Sequence, residues 1–281
     1  MNKRERMKLE VNAILDSTSM TKESAISVVA KHNNVKYSTV DRAMRENKYK
    51  SKKKPKGDVV GIIGDTHLPY ELDGYMEWCK SVFDSEGVTK VVHIGDLFDN
   101  HALSFHDSEP SLKGAYGEYI DALERLEPWK KTFPQMIHIS GNHDAIPARQ
   151  LTKLGLDPNI YLRPVKDVYD FPSGWSSVDE VIIDNVLYHH GHTSCGVNGF
   201  RNDAKNRMQS TVSGHAHGNC GVSWTACHHR AVFGLATGCG VDNKKMAFAY
   251  GKHFKNKPIV GCGIVRYGKD PRTYVMDLGE S

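Results

Sequence analysis

Along residues 21–44, apolar side chains recur three and four apart and break off at a pair of asparagines, a pattern that predicts two short helices joined by a turn. Thr21 stands as the cap of the first helix, whose Ile26, Val29 and Ala30 share one face, and Asn33-Asn34 supplies the turn. Ser38, with Asp41 three residues later, reads as a capping box opening a second helix that buries Val40, Ala43 and Met44. From residue 58 the period changes. Val59-Val60-Gly61-Ile62-Ile63, Val91-Val92-His93-Ile94 and Met136-Ile137-His138-Ile139 are short apolar runs that read as strands. Helical stretches are expected around 75–82 and 116–126, the second closed by Pro128. In the second half, Val181-Ile182-Ile183 and Val186-Leu187-Tyr188 flank Asp184-Asn185 as a hairpin, and residues 199–209 suggest one more helix. Apolar runs at 231–236, 259–265 and 274–278 continue the strands toward residue 281. Alternating strand and helix followed by strands predicts an α/β domain behind a small all-α segment.

Charge sharpens that division. Residues 1–56 hold 15 Lys and Arg against 6 Asp and Glu, a formal +9, whereas the remainder carries −5, within a chain total of +4. The basic balance belongs to the N-terminal arm, and a polyanion such as nucleic acid is its first candidate partner. Ser51-Lys52-Lys53-Lys54-Pro55-Lys56-Gly57 reads as an exposed linker, because like charges repel and Pro and Gly interrupt helix. The expected organisation is therefore a basic helical domain over 1–50, a linker over 51–57 and a second domain over 58–281. At 281 residues and 39% apolar, the chain can bury one large core and a second small one. No stretch approaches the roughly 18 apolar residues of a membrane span, and the first residues lack the apolar segment of a secretion signal, so a cytosolic protein is expected. Six scattered cysteines show no disulfide framework and read as reduced thiols.

The apolar runs end in chemistry. Gly64-Asp65-Thr66-His67, Gly95-Asp96-Leu97-Phe98-Asp99-Asn100 and Gly141-Asn142-His143-Asp144 follow the three strands, and His190-Gly191-His192 and Gly214-His215-Ala216-His217 come later. Together they hold the carboxylates, amide and imidazoles that two adjacent divalent cations need: a bridging carboxylate, neutral imidazoles, and a bridging water acidic enough to give hydroxide near neutral pH. Asp96 is the natural bridge. Such a pair neutralises phosphoester oxygens and aims hydroxide for in-line attack, leaving an imidazole to protonate the departing oxygen. His143, held in one tautomer by Asp99, suits that task. His93 reads as a satisfied core group, and His101 and His106 as members of a solvated loop; His228 and His229 lack metal-ligand spacing.

These motifs, in this order, resemble the calcineurin-like metallophosphoesterases, whose pattern runs D-x-H, G-D-x-x-D, G-N-H-D/E, H and G-H-x-H, over roughly residues 58–281. The resemblance implies a four-layer α/β/β/α sandwich with metals at the strand ends. By position it implies Asp65, His67, Asp96 and His217 at one metal, and Asp96, Asn142, His190 and His215 at the second. Among the three histidines of Tyr188-His189-His190-Gly191-His192, the family's ligand directly precedes Gly, which selects His190 and leaves His189 and His192 as alternates. His143 occupies the family's place for the residue that contacts substrate phosphate, with Asp99 orienting it. Imidazole, carboxylate and amide ligands suit Mn²⁺, Fe or Zn²⁺; Mn²⁺ is the first choice.

Residues 29–44 in turn resemble the short helix-turn-helix of site-specific DNA-binding domains, which would bring Lys36, Tyr37, Ser38, Thr39 and Arg42 near a major groove. Two departures bear on substrate. Phosphoprotein phosphatases of the family carry Arg, a phosphate clamp, where this chain has Asn100, so a dianionic monoester loses a partner. Recombination nucleases of the family read Gly-Asp-Leu-Phe-His, so Leu97-Phe98 is similar and Asp99 is not. The expected activity is hydrolysis of phosphodiester bonds, as a nuclease or phosphodiesterase acting on nucleic acid or nucleotides. The alternatives are a phosphomonoesterase for nucleotides, polynucleotide ends or proteins, and, from another class, a DNA-binding regulator with a structural metal site. A helix-turn-helix joined to a phosphoesterase is similar to phage-encoded proteins. Arg201, Lys205 and Arg207 are further candidates for phosphate contact, and individually for a solvated helix face.

Overall fold

In a computed structural model of the chain, the structure describes residues 3–45, 57–105, 112–194, 196–226, 228–242, 244 and 257–279. The linker residues 51–56, His106, Cys195 and Cys227 lie outside them. Two compact units divide the chain, 1–56 and 57–281.

The first unit is three helices, α1 (Lys3–Ser17), α2 (Lys22–His32) and α3 (Tyr37–Arg45). Met7 and Val11 of α1 pack against Ala25, Ile26, Val29 and Ala30 of α2 and Val40 of α3. Thr21 caps α2, its hydroxyl accepting from the Ser24 N–H, and Asn34 takes the left-handed conformation (φ 50°) that an Asx side chain tolerates in the turn. Ser38 is not a cap. The Val35 N–H already closes on the Ala30 carbonyl and the Thr39 N–H on Lys36, so α3 starts at Tyr37 and Ser38 lies inside it. Helix α1 was not expected from the sequence, since only Met7 and Val11 of its fifteen residues are buried.

In the second unit the alternating pattern becomes β1 (Val59–Ile63), α4 (Tyr75–Glu86), β2 (Lys90–His93), a 3-10 turn (His101–Leu103), α5 (Ala115–Thr132), β3 (Met136–Ile139), α6 (Ile146–Lys153), α7 (Pro158–Tyr161), α8 (Val165–Val168) and β4 (Trp175–Val178). There follow β5 (Glu180–Ile183), β6 (Val186–His189), α9 (Gly199–Arg207), β7 (Ser210–Ser213), β8 (Cys220–Ala226), β9 (Ala231–Thr237), β10 (Gly261–Arg266) and β11 (Asp270–Val275). One sheet runs β11-β10-β1-β2-β3-β4, the other β5-β6-β7-β9-β8. Val60, Ile62, Val92, Ile94 and Ile139 of the first sheet meet Ile183, Val186, Tyr188, Val212, Phe233 and Leu235 of the second to form the inner core. Tyr75, Cys79 and Phe83 of α4 and Ala122, Leu126 and Trp129 of α5 cover the other face of the first sheet, and α9 packs on β7, β8 and β9. The result is the four-layer α/β/β/α arrangement.

Two elements depart from the sequence reading. Helix α5 runs through Pro128 to Thr132. Proline in a helix costs about 3 kcal/mol, but truncating a buried Trp or Phe costs about 3–5 kcal/mol. Trp129 and Phe133, one and five residues on, are both buried, so their packing carries the helix past the break. His101, expected in a solvated loop, is buried in the 3-10 turn with Nδ1 3.9 Å from Asp99 Oδ2. The hairpin around Asp184-Asn185 forms as expected, both residues at positive φ.

Strands β1, β2 and β3 are mutually parallel, as are β6 and β7. Parallel strands finish at one edge of their sheet, so the segments after β1, β2 and β3 emerge together, as do those after β6 and β7. Those segments carry the five motifs.

Candidate metal centre

Each motif leaves its strand through a tight turn. His67, Asp96, Asn100 and His215 all have φ between 50° and 64°. The backbone is then tied across: the Thr66 and His67 N–H groups donate to the Asp96 carbonyl, and the Gly214 N–H to that of His190. Two glycines are there because nothing larger fits. A Cβ on Gly141 would lie 2.1 Å from Asp96 Oδ1, and one on Gly214 would lie 2.2 Å from Asp65 Oδ1.

The side chains converge in two groups. In the first, His217 Nε2 is 3.2 Å from both Asp65 Oδ2 and His67 Nε2. In the second, His190 Nε2 is 3.1 Å from Asp96 Oδ2 and 2.8 Å from Asn142 Oδ1, and His215 joins Asp96 and His190. Asp96 Oδ2 also lies 3.7 Å from His67 Nε2, so this one carboxylate reaches both groups. Asp65 Oδ1 is buried without a hydrogen-bond partner, and the nitrogens of His67 and His217 face each other at contact distance. An orphaned buried carboxylate oxygen is costly in a dry site. A cation among these donors would relieve it, and the N and O donor set fits divalent metals.

The surrounding groups orient these side chains. His67 Nδ1 is 2.7 Å from Asp99 Oδ1, the carboxylate–imidazole pairing that would turn Nε2 toward a metal, and His190 Nδ1 is 3.2 Å from the Ile94 carbonyl. Asp99 thus serves His67 at least as closely as His143. His143 donates from Nδ1 to the Asp99 main-chain carbonyl at 2.7 Å, with the Asp99 carboxylate at 3.3 Å, and its own N–H donates to Asp96 Oδ1. Asn100, a candidate substrate contact, turns its amide to the His143 carbonyl at 3.0 Å. Asp144 is the unanticipated member: its carboxylate accepts from the N–H groups of Gly141, Leu97 and Phe98 and pairs with His138, clamping the second motif to the third.

Electrostatics follow the packing. Burial alone would lower the His143 pKa, but hydrogen bonding to Asp99 and the charge of Asp96 raise it to about 10. Burial likewise opposes ionisation of Asp99, and His143 and His67 overcome it, bringing the carboxyl to about 2. His190 rises to about 9 against burial because it faces Asp96. His93, buried and beside His138, falls to about 3; it contacts Thr66 Oγ1 and behaves as a neutral core group.

Of the three neighbouring histidines, His190 is the one brought into the cluster. His189 turns to Asp203 at 2.9 Å, and the His192 ring lies 6.0 Å from that of His190. Arg207 is engaged with Asp203, while Arg201 and Lys205 are exposed on α9. In the first unit Lys36, Tyr37, Ser38, Thr39 and Arg42 are all exposed. Among the described residues no helix is long and apolar enough to cross a membrane.

Solved structures similar to the chain include vacuolar protein sorting 29 from Cryptosporidium parvum (13% identity, TM-score 0.39, covering 78% of this chain and 98% of that one). The phosphoesterase YfcE from E. coli gives 14% identity and TM-score 0.36 over 74% and 88% of the respective chains. No curated protein matches the sequence. The profile of the calcineurin-like phosphoesterases matches residues 59–227, more than half of the chain and all five motifs. The chain belongs to the calcineurin-like phosphoesterases, metal-dependent hydrolases of phosphoric esters.

Proposed function

We propose that this protein hydrolyses phosphodiester bonds of nucleic acid at a two-metal centre held by Asp65, His67, Asp96, Asn142, His190, His215 and His217. The observation that carries the reading is the Asp96 carboxylate, buried between two converging sets of nitrogen and oxygen donors. When bound, two divalent cations, with Mn²⁺ first among the candidates, supply charge neutralisation at phosphate oxygens and activation of a water nucleophile. The chain's own residues do the rest. Asp99 fixes His67 and His143, and with Nδ1 committed to the Asp99 carbonyl, His143 is left with Nε2 to donate a proton to the departing oxygen.

A diester is favoured because no arginine stands at position 100 and the Asn100 amide is spent on the His143 carbonyl. Nucleic acid is favoured by the formal +9 of residues 1–56 and by the exposed Lys36, Tyr37, Ser38, Thr39 and Arg42. Purified protein with Mn²⁺ should hydrolyse bis-p-nitrophenyl phosphate with higher kcat/KM than p-nitrophenyl phosphate, and chelation should abolish both. A preference for the monoester overturns the diester assignment. Elemental analysis of unchelated protein identifies the metal.

A further inference from the structure

Two segments leave the candidate centre side by side. One runs from Asp99-Asn100 through the 3-10 turn to Phe105; the other runs from His143 into α6. They are fastened together, Gln150 of α6 donating to the Leu103 carbonyl at 2.6 Å. The fastening sets Phe105, 42% exposed, against the α6 surface, with the Arg149 guanidinium carbon 4.8 Å and the Lys153 ammonium 5.2 Å from its ring centroid.

Neither residues 100–105 nor residues 145–156 contain an acid. Among the described residues, Arg149 and Lys153 enter no ion pair. Like charges four apart on a helix repel, so the pair is a small liability to folding that the ring contact partly offsets. The contact orders both cations without neutralising them. Along α6 they are separated by about 6 Å, four residues at 1.5 Å each.

We propose that Phe105, Arg149 and Lys153 form a strand-holding subsite that seats an unpaired base against the aromatic ring and successive phosphates of a single-stranded nucleic acid on the two cations. This rests on the phosphodiesterase reading of the adjacent centre. Duplex would offer the cations phosphates but give the ring nothing to stack on, whereas a single strand uses both features.

The test is fluorescence anisotropy of full-length protein in Mn²⁺ with a fluorescein-labelled, hydrolysis-resistant phosphorothioate (dT)12. Arg149→Ala/Lys153→Ala should weaken binding at least tenfold and reduce the salt dependence by about 0.7 in slope per lost phosphate contact. Phe105→Ala should weaken it at least fivefold, with Phe105→Tyr near wild type. Unchanged affinity in both alanine variants overturns the subsite. Photocrosslinking with a 5-iodouracil-substituted strand separates the subsite from the N-terminal arm: an adduct at Phe105 is expected, and adducts confined to residues 1–45 overturn it. Hydrolysis of bis-p-nitrophenyl phosphate by wild-type protein is measured in parallel. Its failure would count against the diesterase reading, while the binding and crosslinking results still decide the subsite.

Discussion

The two compact units are stabilised by opposite means. In residues 3–45 a few aliphatic side chains form the whole core and nearly every charge is left at the surface. In the phosphoesterase unit two large apolar clusters support an edge where Asp65, Asp96, Asp99, His67 and His190 are all buried. Burying that many ionisable groups is unfavourable unless each has a partner, so the second unit spends core stability on a charged interior. The first keeps its charges in solvent, where they contribute little to folding; the proposed nucleic-acid binding would draw on them.

The strongest way to break this comparison is at its charged interior. Asp96→Asn removes the carboxylate shared by both ligand groups, with an expected loss of several kcal/mol of transition-state stabilisation, about a thousandfold in kcat/KM. Hydrogen exchange in α1–α3 should be unchanged. The converse is Ile26→Ala, which opens the small helical core at an expected cost of about 2–5 kcal/mol. A three-helix unit of this size has little to spare. Exchange protection across residues 3–45 should collapse while hydrolysis of a small diester persists; loss of both would show that the units share stability. Next, Lys36→Ala and Arg42→Ala should each weaken duplex DNA binding and lower the salt slope by about 0.9, without moving kcat on the small substrate. Smallest is Thr21→Ala, which removes the α2 cap at a cost of about 1 kcal/mol, seen as an earlier melting of the helical unit alone.

The two units also differ in how well the sequence announced them. Val59–Ile63 and Met136–Ile139 were legible because continuous apolar runs broke into Gly-flanked polar motifs, and the motif order named the side chains that converge at the strand ends. Strand β7, which delivers His215 and His217, was not. Ser210-Thr211-Val212-Ser213 has no apolar period, and becomes a strand because β6 and β9 pair with it on either side. The same holds for Asp144. Its sequence position marked it as a motif residue, but its hydrogen bonds reach the N–H groups of Leu97 and Phe98, some 46 residues away, which no local pattern encodes. In the helical unit, Thr21 and the Asn33-Asn34 turn were legible from local chemistry, whereas α1 takes its shape from packing at two positions. Asp203, which draws His189 away from the cluster, also lies on another element and became visible only in three dimensions.

Gly141 has a consequence for how this protein can vary. Asp96 Oδ1 lies 2.1 Å from where its Cβ would stand, so the carboxylate that reaches both groups rests directly on the peptide chain of the third motif. Drift at that position therefore has no neutral first step, because even alanine must push Oδ1 aside and with it Oδ2, the oxygen that faces both His67 and His190. In a saturation library selected for hydrolysis, position 141 should return glycine alone. Gly155, with open space around it and only its positive φ to satisfy, should also admit asparagine.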